Sequence, residues 1–148
     1  MKYQDLERNP GYQLWLATNA WQRIVRKALE PLHLTYVQFV LMASVDVLSQ
    51  EGDCVTQAQV ARFAATDENM TSQVIRSLAD RSLLVRVEHP TDARARCLSL
   101  TDAGKHLLDE GKALVKPVRE RFFEPLGDRA VDLAQLLREV VDALDEEE

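Results

Sequence analysis

Between residues 69 and 80 the chain reads NMTSQVIRSLAD. At 100° per residue, Asn69, Ser72, Gln73, Arg76 and Asp80 fall on one side of a helix, and Met70, Val74, Ile75, Leu78 and Ala79 on the other. The first side is almost entirely hydrogen-bonding. Asn and Gln amides pair bidentately with adenine, a guanidinium with guanine, and a serine hydroxyl with a base edge or a phosphate. Thr71 lies angularly within the apolar side, yet at a helix start it is a candidate phosphate donor, ranked below Ser72. The plain alternative is that any surface helix exposes such residues.

A second feature follows at once. In HPTDARARCLSLT, residues 89–101, a turn leads into a strand in which Arg94 and Arg96 share a face with Leu98 and Leu100. An apolar root with a cationic tip is the pattern of a hairpin anchored in a core and reaching toward an anion. A narrow, negative minor groove suits an inserted arginine, and the neighbouring major groove, about 12 Å wide, admits one helix. Arg94 is the first candidate for the tip contact, and Arg96 is nearer the base. Arg86, on the opposing strand, reaches a phosphate or pairs with Glu88 or Asp92. Asp92 either orients Arg94 by an ion pair or is a turn aspartate making an Asx hydrogen bond. His89, beside Pro90, is a turn residue or a phosphate contact.

The elements that position these residues are readable from periodicity and caps. Residues 11 to about 30 form a helix with Leu16, Ala17, Ala20, Trp21, Ile24, Val25 and Ala28 on one stripe. Trp15 lies opposite, with Asn19, Gln22 and Arg26, and so needs a partner of its own, in a subunit contact or a ligand cleft. After Pro31 a second helix runs from about Thr35 to Ser49, closed by the glycine of SQEGD. Thr56-Gln57-Ala58-Gln59 is a capping box that starts a short helix over 57–65. Asp67 or Thr66 caps the next, which runs to about Arg81. Leu83 to Glu88 and Arg94 to Leu100 are strands joined at Pro90-Thr91-Asp92-Ala93. Thr101 caps a long helix that Pro117 kinks or ends. A last helix over about 128–144 precedes a solvated DEEE end. The two short helices are a helix-turn-helix candidate with a β-hairpin behind it.

Composition places limits on the reading. The 148 residues carry a formal net charge of −6, but the charge is uneven: residues 102–148 hold 13 acids against 7 bases, whereas residues 55–101 hold 6 bases against 5 acids. An anionic partner must therefore be met locally. The start lacks a signal-peptide core and no run of about 18 apolar residues occurs, which predicts a soluble, cytoplasmic protein with no membrane partner. Cys54 and Cys97 have no zinc-knuckle spacing and give no disulfide framework. They are expected as small packing residues in a reducing compartment, with redox sensing the alternative. His33, His89 and His106 lack metal-ligand spacing, and no P-loop, G-x-S-x-G, H-E-x-x-H or Rossmann glycine pattern occurs. No enzyme, metal or cofactor is expected.

The stretch VTQAQVARFAATDENMTSQVIRSLADRSLLVRV, then Asp92-x-Arg94, then Leu100-Thr101 followed by Gly104, resembles the MarR family of winged-helix transcription regulators. These residues look like that family's helix-turn-helix, D-x-R wing and L-T-x-x-G helix start, and the likeness extends over essentially the whole chain. It implies an obligate homodimer, a palindromic double-stranded DNA operator, and repression relieved by a ligand or another signal. It also implies a ligand cleft between dimerisation helices and DNA-binding part, for which Trp15, Arg26, His33 and Tyr36 are candidates; core packing or the dimer contact accounts for them as well. Two departures stand out. Ser82 occupies a position where the family usually has glycine, so the turn into the wing forms without φ > 0 or at a small strain. The N-terminal reactive cysteine of the peroxide-sensing branch has no counterpart.

The expected fold is mainly α with a small β-hairpin: a winged helix-turn-helix over 35–101, bracketed by a helical dimerisation region over 1–34 and 102–148, in one continuous unit. The expected function is a dimeric, sequence-specific DNA-binding regulator, a repressor released by a small-molecule effector. The competing reading is a winged helix used for protein–protein interaction without DNA binding.

Overall fold

The computed structural model describes residues 2–52, 54–92, 94 and 96–147. Ala93, part of the expected turn, lies outside them. Helices α1 (Tyr3–Glu7), α2 (Pro10–Leu29), α3 (Tyr36–Ser49), α4 (Gln57–Ala64) and α5 (Glu68–Asp80) precede an antiparallel hairpin of β1 (Leu84–Glu88) and β2 (Arg96–Leu100). Then come α6 (Asp102–Phe123) and α7 (Arg129–Glu147). The chain is thus a mainly helical winged helix-turn-helix. By internal packing it divides into two compact units, Met1–Val115 and Lys116–Glu148.

Local signals set most helix starts. Asn9 caps α2, its side chain accepting from the Tyr12 amide, with Pro10 at the first helical position. Thr35 and Gln38 close a reciprocal capping box on α3, and Thr56 and Gln59 close another on α4. Asp67 Oδ1 accepts from the Met70 amide at 2.7 Å to start α5, whose first turn also holds Glu68 against the positive end of the dipole. Helix α3 ends at Ser49 with Gln50 in right-handed conformation, ahead of Gly52, so the glycine is not its cap. Helix α6 passes through Pro117 without ending, and α7 continues into the acidic tail as far as Glu147.

In the first unit the core is built from Val25 and Leu29 of α2, Leu41, Met42 and Val45 of α3, Val60, Ile75, Leu78, Leu84 and Leu108, each at most 1 % exposed. Helices α2 to α6 and strand β1 all contribute to it, and Leu98 and Leu100 of β2 are buried as well. Burial of each such side chain stabilises by about 2 kcal/mol, so the helix pair and the hairpin share one hydrophobic floor. The apolar stripe expected on α2 is buried only at its C-terminal end: Val25 is fully buried, whereas Leu16 is exposed, as are Leu14 and Trp15 outside the stripe.

The hairpin is shorter than expected. Leu84 pairs with Leu100, Arg86 with Leu98 and Glu88 with Arg96, so one face runs from a buried leucine root to a charged end. Arg94 is not in β2, and strand alternation does not set its direction. Cys54 and Cys97 are disulfide-bonded, with Cα atoms 5.1 Å apart, which corrects the expectation of unpaired packing residues. The cause is non-local: the Leu98 amide donates to the Val55 carbonyl at 2.7 Å, laying the segment before α4 against β2 and bringing together positions 43 residues apart.

Where the hairpin meets α6, the Thr101 amide donates to the Leu83 carbonyl (3.1 Å) and its hydroxyl to the Ser82 carbonyl (2.7 Å), while the same hydroxyl accepts from the Gly104 amide (3.0 Å). Ser82 has φ +59°, the strained alternative. A Cβ on Gly104 would sit 2.0 Å from the Leu83 carbonyl oxygen. Gly104→Ala is therefore expected to cost about 3 kcal/mol in denaturant unfolding, whereas Ser82→Gly should stabilise by about 1 kcal/mol. A neutral Gly104→Ala would mean that the junction is slack.

Candidate nucleic-acid interface

Helix α4, the turn at 65–67 and α5 form the helix-turn-helix. Ala65 closes α4 in the left-handed region, φ +54°, and its amide donates back to the Arg62 carbonyl at 3.3 Å. On α5, Asn69, Gln73, Arg76 and Asp80 are exposed or partly so and Ser72 is half-buried, while Ile75 and Leu78 are fully buried. Thr71 is corrected: it is 0 % exposed, and its hydroxyl is held by the Asp67 carbonyl and the Thr66 hydroxyl, each at 2.7 Å. It builds the turn and is not on the outer surface. Met70, placed by angle with the apolar side, is 45 % exposed and lines an open hollow.

Arg86, Arg94 and Arg96 are all exposed. Among the described residues neither these three nor Arg76 forms an ion pair with a carboxylate. Asp92 acts on Arg94 through the backbone: its Oδ1 accepts from the Arg94 amide at 3.0 Å, the Asx arrangement. His89 has a more definite place than sequence reasoning assigns it. Its Nδ1 accepts from the amides of both Thr91 (3.1 Å) and Asp92 (3.0 Å), which puts the ring proton on Nε2. Two side chains, His89 and Asp92, thus hold backbone amides of the hairpin turn.

Of the four ligand-cleft candidates the structure brings two together. Arg26 and Tyr36 line an open hollow of about 410 Å³ with Gln22, Val37, Val40, Ala64, Thr66 and Met70. The Tyr36 hydroxyl accepts from Trp21 Nε1 at 2.6 Å, with the two rings edge to face. Trp15, 66 % exposed, and His33 are outside this lining. His33 instead adopts φ +54° after a 3-10 turn, Glu30–Leu32, and its carbonyl accepts from Arg81 Nη1 at 2.7 Å. Gln22 shares a helix face with Arg26, which the wheel displays; Val37, Val40, Ala64 and Met70 come from three further helices, and no sequence spacing links them.

A helix pair whose second member exposes amide and guanidinium groups, followed by an arginine-bearing hairpin, defines the class of winged helix-turn-helix proteins. No protein-family model matches the chain. It is 38 % identical over 122 residues to the uncharacterized HTH-type transcriptional regulator YdcH of Bacillus subtilis, covering 82 % of this chain and 83 % of that one. The transcriptional repressor CouR, solved bound to a 23-mer DNA duplex, superimposes with a TM-score of 0.85 at 26 % identity, covering 95 % and 98 % of the two chains. CouR from Rhodococcus jostii RHA1 bound to p-coumaroyl-CoA gives 0.77 at 27 % identity, covering 94 % and 93 %. A mutant of MarR from E. coli, complexed with operator DNA, shares the fold with a TM-score of 0.79 at 21 % identity, over 88 % and 91 %. The chain belongs to the MarR family of winged-helix transcriptional regulators.

The role of His89 is open to direct measurement. His89→Ala is expected to speed amide exchange at Thr91 and Asp92, and His89→Asn, whose carbonyl can accept from the same amides, to restore protection. Unchanged exchange in the alanine variant would remove His89 from the turn's support.

Proposed function

We propose that this protein is a dimeric, sequence-specific DNA-binding repressor, acting in the cytoplasm and released by a small-molecule effector. The observation that carries the reading is the outward row of Asn69, Ser72, Gln73 and Arg76 on α5, followed directly by a hairpin with three exposed arginines that, among the described residues, form no ion pair with a carboxylate. In this reading α5 enters a major groove and reads base edges, and Arg94 enters the adjacent minor groove with Arg96 and Arg86 nearer the phosphates. Asp92 positions Arg94 through its backbone amide. The relatives are regulators rather than enzymes, in keeping with a binding function without catalysis.

Terminal helices are the proposed dimerisation region, 1–34 and 102–148. Helix α7 has no buried residue, and Val131, Leu136, Val140 and Leu144 are 59–75 % exposed; on α2, Leu14, Trp15 and Leu16 are likewise uncovered. Apolar rows of this extent are expected to meet a second copy. Two α5 helices would then address half-sites about 34 Å apart on a palindrome. The hollow at Arg26 and Tyr36 is the proposed effector site; with apolar Val37, Val40, Ala64 and Met70 and the cationic Arg26 in its lining, it suits a small amphipathic anion.

Operator binding should weaken steeply as salt rises. Arg94→Ala is expected to lower affinity with the dimer intact, and an unaltered gel-shift titration would count against the hairpin contact. Arg76→Ala should relax discrimination at one base position per half-site by about 1–3 kcal/mol; equal weakening on all sequences would reassign it to a phosphate. A stable dimer with no salt-dependent DNA binding would instead favour the protein-interaction reading.

Val140→Asp combined with Leu144→Asp is expected to shift the mass measured by light scattering from a dimer toward the 16.8 kDa monomer. An unshifted mass would move the interface away from α7.

A further inference from the structure

The disulfide has a place in the fold that packing alone does not require. Cys97 is the second residue of β2, beside Arg96, and Cys54 stands two residues before Thr56, the cap of α4. The segment from 54 to 97 closed by the bond contains α4, α5, β1 and the His89–Asp92 turn, and with them every residue assigned to DNA contact. Other interactions hold the hairpin root without it: the β1–β2 ladder, the Leu98 to Val55 hydrogen bond, and burial of Leu84, Leu98 and Leu100. Opening the bond therefore releases a local tether and leaves the core in place.

We propose that Cys54–Cys97 is a redox clasp: closed, it holds the hairpin to the start of the helix-turn-helix in the DNA-binding arrangement, and opened by a dithiol reductant, it lowers operator affinity. This rests on the DNA-binding reading above. Cys97 is 6 % exposed and Cys54 is half-buried, so Cys54 is the more accessible of the two residues and the side from which a reductant approaches. A thiolate of the dithiol attacks Cys54 Sγ, the sulfur–sulfur bond breaks, and Cys97 leaves as thiolate and takes up a proton. The second thiol of the reductant then closes on the mixed disulfide, releasing Cys54 as a thiol. In sum, two electrons and two protons pass to the protein, and the dithiol becomes a cyclic disulfide. A diazenedicarboxamide oxidant, itself reduced to the hydrazine, reverses the change.

Loss of the tether acts on affinity through order. With the bond closed, β2 and the α4 cap are fixed to each other before DNA arrives; with it open, the Leu98 to Val55 hydrogen bond and the leucine root remain, and only the freedom that the covalent link had removed is charged to binding. The fold keeps its ladder, so the effect is graded and not all-or-none.

The test uses the full-length protein and a duplex selected by its diamide-oxidised form from a random pool. Affinity is measured by fluorescence anisotropy after diamide and after dithiothreitol, with intact mass reporting the gain of two hydrogens. Reduction is expected to weaken binding about fivefold or more, with circular dichroism unchanged. The Cys54→Ser/Cys97→Ser variant should match the reduced protein under both treatments. Should that variant not fold, the comparison of the two forms of the unsubstituted protein decides alone. Equal affinities in oxidised and reduced protein overturn the clasp and leave the DNA-binding reading standing, as does finding two free thiols after oxidation. If the pool yields no bound duplex in either state, the DNA-binding reading falls and the clasp falls with it.

Discussion

Everything that α5 and the hairpin can do together depends on one small knot of hydrogen bonds at Thr101. Its amide and hydroxyl hold the carbonyls of Leu83 and Ser82, and the hydroxyl in turn receives the Gly104 amide. The end of β2, the turn that leaves α5 and the first turn of α6 are thereby fixed at a single residue. A side chain at 104 has no room there, and a left-handed Ser82 is tolerated because two neighbours determine its backbone. The direction in which the hairpin leaves α5 is consequently set at this junction, while the buried leucine root and the Leu98 to Val55 hydrogen bond hold the strands against the core.

A second constraint works at the other end of the same assembly. Thr66 and Thr71 share a hydrogen bond across the turn between α4 and α5, and Thr71 also returns to the Asp67 carbonyl. Thr66 lines the hollow that holds Arg26 and Tyr36, and Met70 lines it too. The walls of the hollow and the start of α5 are thus made in part from the same residues. The polar outer row begins one position before Met70, at Asn69, so the site proposed for an effector and the surface proposed for DNA adjoin along a single helical turn.

What can be read from the sequence is what is local. The capping box at Thr56 and Gln59, the α5 cap (Asp67, of the two candidates Asp67 and Thr66), the wheel of α5 apart from Met70, and the leucine root of the hairpin each depend on residues within a few positions, and these appear as expected. The misreadings share a different cause. The wheel puts Thr71 on the apolar side, where it is indeed buried; the error lies in granting a first-turn residue a phosphate contact in spite of that angle. Alternation assigns Arg94 to the strand, yet an Asp92 carboxylate holding its amide keeps the chain in a turn. The disulfide depends on Val55 meeting Leu98, a contact that no spacing announces. The lining of the hollow comes from four helices, and Trp15, conspicuous on the wheel, is not part of it.

Arg81 gives the fold a long-range connection of another kind. From the residue after α5 its guanidinium spans to the carbonyls of Leu32 and His33, 3.2 and 2.7 Å away, where the chain turns from α2 into α3. One planar, multidentate group thus couples the corner behind α2 to the tail of α5, and Gln38 adds a second link to Ser77 at 3.1 Å. The corner behind α2 and the end of α5 are therefore pinned to each other by side chains that belong to neither interior, so the position of one helix end is referenced to the other.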